Sequence, residues 1–261
     1  MELERLGAHV PAGVELPGGG HPLVAVEVDE AHQSWNELHA LFRQWDAGQL
    51  IKTLFSKSEV LGSPWLLVVP DWHYGYPQPR ELDFGYLEAT FDLSEYCSDC
   101  GMGKKQKAPF QMKGEPKWGQ RGILQLNWVF DEYFVTPDVW EKVFKGNGVE
   151  CRPVTNIKGI PLKTVVQITT HERVGVEEAG LPFDTCGKCQ RVKYLPHTRG
   201  RFPPLVGNPS GAMVKTSEYF GSGASAHQGV LVSQSIVSAF HQSHTRGVTF
   251  WPTGPGAATP S

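Results

Sequence analysis

The sequence predicts an α+β fold in which two pseudo-repeated strand–helix–strand halves with short elements follow an acidic N-terminal α/β region. Two observations support this fold class. The 29 glycines and 20 prolines among 261 residues interrupt the chain about once in five positions, which limits helices to a few turns. A common order of strand, helix, glycine and strand also occurs twice in the C-terminal two thirds. The hydrophobic share of 40% is sufficient for a core.

Residues 1–94 form the predicted acidic region. From Met1 to Glu95 the chain carries 15 acidic and 5 basic side chains. Hydrophobic periodicity predicts the elements of this region. They are a strand at Leu23–Val28, a helix along the apolar stripe from Trp35 to Trp45, a buried strand at Trp65–Val69 and an alternating strand at Phe84–Leu93.

Residues 95–155 and 156–252 are the two predicted halves. In each half a strand ends at a hydroxyl N-cap, a short helix buries three apolar side chains, glycine ends the helix and a second strand stops before proline. The positions are Thr136, Val139, Trp140, Val143, Gly148 and Pro153 in the first half, and Ser233, Ile236, Val237, Phe240, Gly247 and Pro252 in the second. Cys151 and Phe250 then occupy matching places. We expect residues 253–261 to be a disordered tail.

Four of the five cysteines form two Cys-x-x-Cys pairs, Cys97/Cys100 and Cys186/Cys189. The longest apolar run, Trp65–Val69, is far shorter than the roughly 20 residues that cross a bilayer, and the first residues do not look like a signal peptide. We therefore expect a cytoplasmic protein without a membrane partner, where such pairs favour metal over disulfides.

Two Cys-x-x-Cys turns can complete the tetrahedral shell of one structural Zn²⁺, which would join the two halves. Four protein ligands argue against a catalytic zinc, which needs an open position. An iron–sulfur site and a redox-active dithiol remain alternatives. Cys151 is predicted to be a small core residue.

Basic residues follow both cysteine pairs. Two interpretations are open: these cations balance the negative charge of a four-thiolate zinc site, or they bind nucleic acid, with Phe110, Trp118 and Tyr194 as stacking residues. The residues are Lys104, Lys105, Lys107, Lys188, Arg191 and Lys193.

No motif in the sequence predicts catalysis. The ten histidines form no metal-binding pair. The segment Gly221–Gly229 lacks the Lys-Ser/Thr of a P-loop and the Gly-x-Ser-x-Gly frame of a hydrolase. We therefore predict no catalytic residues, and a flexible loop at this segment.

The cysteine motifs Cys97-Ser-Asp-Cys100-Gly101 and Cys186-Gly-Lys-Cys189-Gln190, the segment Arg199–Pro204 and the ending Val230–Phe250 resemble the double-CXXCG motif proteins of myxobacteria. Gln190 stands where the family pattern has glycine. Several members are classed as immunity proteins against contact-delivered toxins. The resemblance implies a non-enzymatic binder with a structural metal and a toxin-like protein partner.

Two functional hypotheses follow. In the first, the acidic N-terminal third docks on a basic protein such as a nuclease toxin and neutralises it, since opposite charges speed association. In the second, the chain is a zinc-ribbon-like nucleic-acid-binding protein that uses the basic clusters.

Overall fold

The computed structural model describes residues 2–14, 23–48, 50, 52–79 and 84–254. Packing divides the chain into two compact units, Met1–Ile51 and Lys52–Ser261. The helices are α1 Glu2–Arg5, α2 Trp35–Gln44, α3 Lys57–Gly62, α4 Tyr86–Thr90, α5 Pro137–Val139 and α6 Gln234–Gln242. A π-helical turn, Trp140–Phe144, and a 3₁₀ turn, Lys145–Asn147, continue α5. Within the described residues, no helix is long and apolar enough to span a membrane.

The strands are short, as the glycine and proline content predicts. They are β1 Trp65–Pro70, β2 Phe91–Asp92, β3 Lys105–Gln106, β4 Gln111–Met112, β5 Ile123–Leu126, β6 Val129–Val135, β7 Glu150–Asn156, β8 Pro161–Thr169, β9 Arg173–Val176, β10 Phe183–Thr185, β11 Val192–Tyr194, β12 Leu205–Val206, β13 Met213–Phe220, β14 His227–Ser233 and β15 Val248–Pro252. The fold is mixed α+β and mostly sheet, which confirms the α+β part of the prediction.

The N-terminal unit contains α1, α2 and a small core. Leu6, Ala8 and Leu38 are buried together, and the predicted helix between Trp35 and Trp45 is confirmed by α2. The predicted strand at Leu23–Val28 is wrong, because only a single bridge joins Leu23 to Val14. Alternation of apolar residues does not make a strand without a partner along its length.

Within the described residues, two large sheets build most of the second unit, and β2 and β3 pair in a separate two-stranded sheet. Sheet I has the order β4-β7-β8-β6-β5, and the main path of sheet II is β10-β11-β13-β14-β1-β15, with β9 against β13 and β12 against β9. The predicted buried strand at Trp65–Val69 is confirmed by β1. The predicted strand at Phe84–Leu93 is wrong for most of its length: α4 occupies Tyr86–Thr90, and Tyr86 and Thr90, four residues apart, are buried on one helical face.

Four strands in each sheet share one arrangement. In sheet I, β8 lies between β6 and β7 and β5 pairs with β6. In sheet II, β1 lies between β14 and β15 and β13 pairs with β14; each contact is antiparallel. The registers also correspond, since Cys151 pairs with Ile168 and Phe250 with Val68. The first strand of each segment therefore lies in the sheet that contains the later strands of the other segment. Segment 65–156 starts with β1, which lies in sheet II, and segment 161–252 starts with β8, which lies in sheet I.

The helices after β6 and β14 pack into a core that both sheets share. The predicted apolar positions are buried there or pack against it, so these assignments are confirmed; they are Val139, Trp140, Val143, Ile236, Val237 and Phe240. Thr136 caps its helix, accepting a 3.2 Å hydrogen bond from the N–H of Val139. Ser233 does not, because its hydroxyl lies 2.8 Å from that of Ser235. Gly148 ends the first helix with a φ of +75°.

The C-terminal end of the described chain is bonded to sheet II. The N–H of Thr253 donates to the carbonyl of Trp65 at 3.1 Å, and that of Gly254 donates to Phe202 at 3.0 Å. The other residues of the predicted disordered tail, 255–261, lie outside the described residues. The predicted boundary at residue 94 separates β1 from the sheet in which it pairs.

Candidate metal centre

The two Cys-x-x-Cys turns have the same backbone conformation and hydrogen bonds. In the first knuckle (Cys97–Gly101), the N–H of Cys97 donates to the carbonyl of Met102 at 2.9 Å and that of Gly101 donates to Cys97 at 2.8 Å. The second knuckle (Cys186–Gln190) repeats both bonds at 3.0 and 2.9 Å. Each turn ends in a left-handed residue, Gly101 at a φ of +80° and Gln190 at +59°. This conformation explains why glycine suits the fifth position.

The knuckles bring all four cysteines together. The sulfur of Cys97 lies 3.8 Å from that of Cys186, and the sulfur of Cys100 lies 3.6 Å from that of Cys189. All four sulfurs lie within 4.8 Å of one another, and none is in a disulfide. Four sulfurs at tetrahedral corners about 2.3 Å from a metal are about 3.8 Å apart. The group can therefore hold one metal ion.

Local hydrogen bonds and burial act in opposite directions on these thiols. The backbone N–H of Cys100 lowers the pKa of Cys97. The N–H groups of Cys189 and Lys188 lower the pKa of Cys186 to about 6. Burial raises the pKa of Cys100 to about 12. A cation among the sulfurs would favour the thiolate at every position, because metal binding requires deprotonated cysteine.

One of the predicted basic residues is a buried tether. Lys193 is 4% exposed, and its ammonium donates to the carbonyls of Cys100, Gly223 and Ser225 at 3.0, 2.5 and 2.9 Å. It follows the second knuckle in sequence but binds the backbone of the first. Lys193 therefore joins the two knuckles without using a metal.

Three other basic residues also bind acceptors near the knuckles. Arg191 donates to the carbonyl of Glu95 at 2.6 Å, and Lys188 lies 3.1 Å from a carboxylate oxygen of Asp99. Lys105 lies 3.2 Å from the carboxylate of Glu95. The Lys188–Asp99 contact joins the two knuckles, and the Arg191–Glu95 contact joins residues that flank them.

The remaining predicted residues occupy different places. Lys107 is exposed, whereas Lys104 is half-buried beside a cavity that is described below. Of the proposed stacking residues, Phe110 and Tyr194 are buried, and the indole of Trp118 donates to the carbonyl of Thr164 at 3.0 Å. Cys151 is half-buried in β7, away from the four-cysteine group.

The segment Gly221–Gly229 packs on the first knuckle, a contact that the sequence did not predict. A Cβ on Gly101 would lie 2.2 Å from the carbonyl oxygen of Ala224, so only glycine allows the two backbones to approach. The role of Lys193 was also missed. The only signal was its position four residues after Cys189, which Lys104 shares relative to Cys100.

Comparison with models of known protein families finds no match for this chain, and a search of curated proteins finds none either.

Proposed function

We propose that the four cysteines hold one structural Zn²⁺. The observation that carries this proposal is the sulfur spacing of 3.6 and 3.8 Å, which suits a single ion. Zinc is the metal that four thiolates most commonly bind in closed structural sites. An iron–sulfur cluster would place several irons among the sulfurs and need a wider cage. The four ligands leave no position for a substrate.

The proposed zinc joins two copies of one unit. The shared strand arrangement and the matching registers of residues 65–156 and 161–252 support a duplication, as does the identical bonding of the two knuckles. Each copy supplies two ligands. Because metal affinity then becomes folding free energy, the ion would stabilise the pairing of the two copies.

The function that we propose for the whole chain is that of an immunity-type inhibitor that binds and neutralises a cognate protein toxin. The cysteine motifs and the acidic residues 1–94 support a non-enzymatic binder of a basic protein. The contacts of Lys105, Lys188, Arg191 and Lys193 favour this function over nucleic-acid binding, since these cations bind groups of their own chain.

Size-exclusion chromatography with the purified product of the neighbouring gene tests this function. We expect a one-to-one complex that weakens as salt increases, because acidic complementarity is screened by ions. Reversing two exposed charges, Glu27→Lys with Glu37→Lys, should weaken the complex at least tenfold. The matched control reverses Glu150 and Glu177, which are also exposed but lie outside the acidic region. Absence of a complex at low salt would contradict the proposal.

A further inference from the structure

A cavity of about 400 Å³ opens where residues of sheet I and sheet II meet, and none of the four cysteines lines it. This volume is in the range of sites for small molecules, roughly 300–1,000 Å³. Five cationic side chains line it, against two carboxylates. The cations are Lys104, Lys105, Arg152, Arg173 and Lys215, and the carboxylates are Asp131 and Glu132.

The carboxylate of Glu132 is already neutralised within the fold. One oxygen accepts a hydrogen bond from Lys215, which is 5% exposed. The other accepts from the amide of Gln167 at 2.8 Å. Gln106 and Gln167 in turn exchange hydrogen bonds of 2.9 and 2.8 Å. Glu132 and Lys215 therefore line the cavity as an ion pair, and neither charge is left for a bound molecule.

Asp131 is the second carboxylate. It accepts a 3.3 Å hydrogen bond from the N–H of Gln228. Burial alone would raise its pKa, but the positive charges of Lys215 and Lys104 hold the pKa below its ordinary value. Asp131 is therefore ionised, and the cavity still contains more positive than negative charge.

Two cations of the cavity form no close ion pair. Lys104 and Arg152 are both half-buried, and among the described residues no carboxylate oxygen lies within 4 Å of either charged group. The ammonium of Lys104 lies 5.7 Å from the centre of the Phe91 ring. Burial lowers its pKa. Asp131 and Glu132 attract Lys104 only from beyond 4 Å, so an anion in direct contact with the two cations would compensate their partial burial further.

Aromatic side chains form part of the wall. Trp128, Phe130 and Tyr219 line the cavity together with Tyr86. The rings of Tyr86 and Trp128 are stacked at 6.1 Å. Apolar and aromatic walls with a few fixed charged groups are typical of small-molecule sites.

We propose that this cavity binds a small organic anion that carries a planar ring. The carboxylate or phosphate of the ligand contacts Lys104 and Arg152, and its ring packs on the aromatic wall. A guanidinium is suited to both oxyanions, because its planar fork donates two parallel hydrogen bonds. The site uses no cysteine, although Tyr219 and Ala226 of its wall also pack on the four-cysteine group.

Isothermal titration calorimetry of the full-length, metal-loaded protein tests the proposal with benzoate, phenyl phosphate and AMP. Benzamide supplies the ring without charge, and inorganic phosphate supplies charge without the ring. We expect at least one ring-bearing anion to bind with a Kd below 1 mM, and benzamide and inorganic phosphate to bind at least tenfold more weakly. The stronger of benzoate and phenyl phosphate identifies the preferred oxyanion. Failure of all three anions to bind would overturn the proposal, and so would equal binding of benzamide.

Lys104→Met and Arg152→Met assign the binding to this cavity. Each should weaken binding of the anion at least tenfold, whereas Lys158→Met, in an exposed turn, should not change it. A ligand-binding cation also differs from a structural one in its effect on stability. We expect the Tm of ligand-free Arg152→Met to equal or exceed that of the unchanged protein, because Arg152 forms no ion pair within the described residues, whereas the charge of Lys104 also stabilises ionised Asp131. Wild-type affinity in both variants, or a lowered Tm with unchanged affinity, would refute the assignment.

Discussion

The two knuckles have the same backbone conformation, but the first is buried and the second is partly exposed. Cys97 and Cys100 are each 4% exposed, and the segment after Gly221 packs directly on their turn. Cys186 and Cys189 are only half-buried, and Gln190 is exposed. Local hydrogen bonds therefore suffice to build a metal-binding turn, whereas the rest of the fold determines which residues that turn tolerates. The first knuckle requires a glycine where the second accepts a glutamine.

The largest expected loss of stability follows from replacing one metal-ligating cysteine, and the loss should be equal in both knuckles. We expect Cys97→Ser and Cys186→Ser each to lose the metal and soluble folded protein, since structural zinc in zinc-finger peptides contributes about 10–16 kcal/mol. Metal analysis should give about one zinc per unchanged chain. Cys151→Ser is the matched control and should keep both zinc and fold. Folded, metal-free Cys186→Ser with an unchanged Tm would mean that the exposed knuckle binds no structural ion.

Alanine at the fifth position should reduce stability much more in the first knuckle than in the second. At Gly101 a Cβ would overlap the carbonyl of Ala224, at 2.2 Å, and the left-handed backbone adds strain of about 1–2 kcal/mol. We expect Gly101→Ala to lower the free energy of unfolding by more than about 3 kcal/mol, measured by denaturant titration of the metal-loaded protein. Gln190→Ala, with the same backbone conformation but an exposed side chain, should change it by less than about 1 kcal/mol. Equal losses would show that the surroundings do not matter.

Lys193, just after the second knuckle, and Lys188, within it, differ in burial and test how much burial contributes to stability. Lys193→Met leaves three carbonyls without their donor, and each such buried group costs about 1–3 kcal/mol. We expect a loss of about 2–4 kcal/mol in the free energy of unfolding, since local relaxation recovers part of this cost. Lys188→Met removes an exposed ion pair with Asp99 and an exposed 3.3 Å hydrogen bond to the hydroxyl of Ser98 and should cost less than about 1 kcal/mol. If both variants unfold at the same denaturant concentration, Lys193 is not a tether.

The smallest expected effect is a gain in stability. Gln190→Gly relieves the left-handed strain of a side-chain-bearing residue, so we expect the free energy of unfolding to rise by about 0.5–1 kcal/mol. Differential scanning calorimetry of the metal-loaded protein can measure this as a small increase in Tm. A decrease would indicate that the hydrogen bond from the Gln190 amide to the carbonyl of Gly187, at 2.9 Å, outweighs the strain.

Local patterns in the sequence predicted local structure well. The cap at Thr136 and the buried faces of the helices after β6 and β14 depend on neighbouring residues, and all are found in the structure. The four-cysteine group was also predictable, because its chemistry has few alternatives once two pairs are present. The strand predicted at Phe84–Leu93 failed because Tyr86 and Thr90 fit a helical face as well as an alternating one.

Long-range features were not predictable from the same patterns. The pairing of β1 with β14 and β15 joins residues from opposite ends of the second unit, and no local signal specifies such partners. The cavity likewise collects Lys104, Arg152 and Lys215 from separate elements. Each appears in the sequence as an ordinary surface charge, and only the fold places them around one space.

The position of β1 has a consequence for how the protein is made. Pro70 cannot pair with Val248, its partner in sheet II, until Val248 has been synthesised. At about 5–20 residues per second, a ribosome needs roughly 10–40 seconds to supply the intervening chain. During that time the apolar strand Trp65–Val69 has no sheet to join. The nascent protein must therefore shield this apolar segment until Val248 has been synthesised.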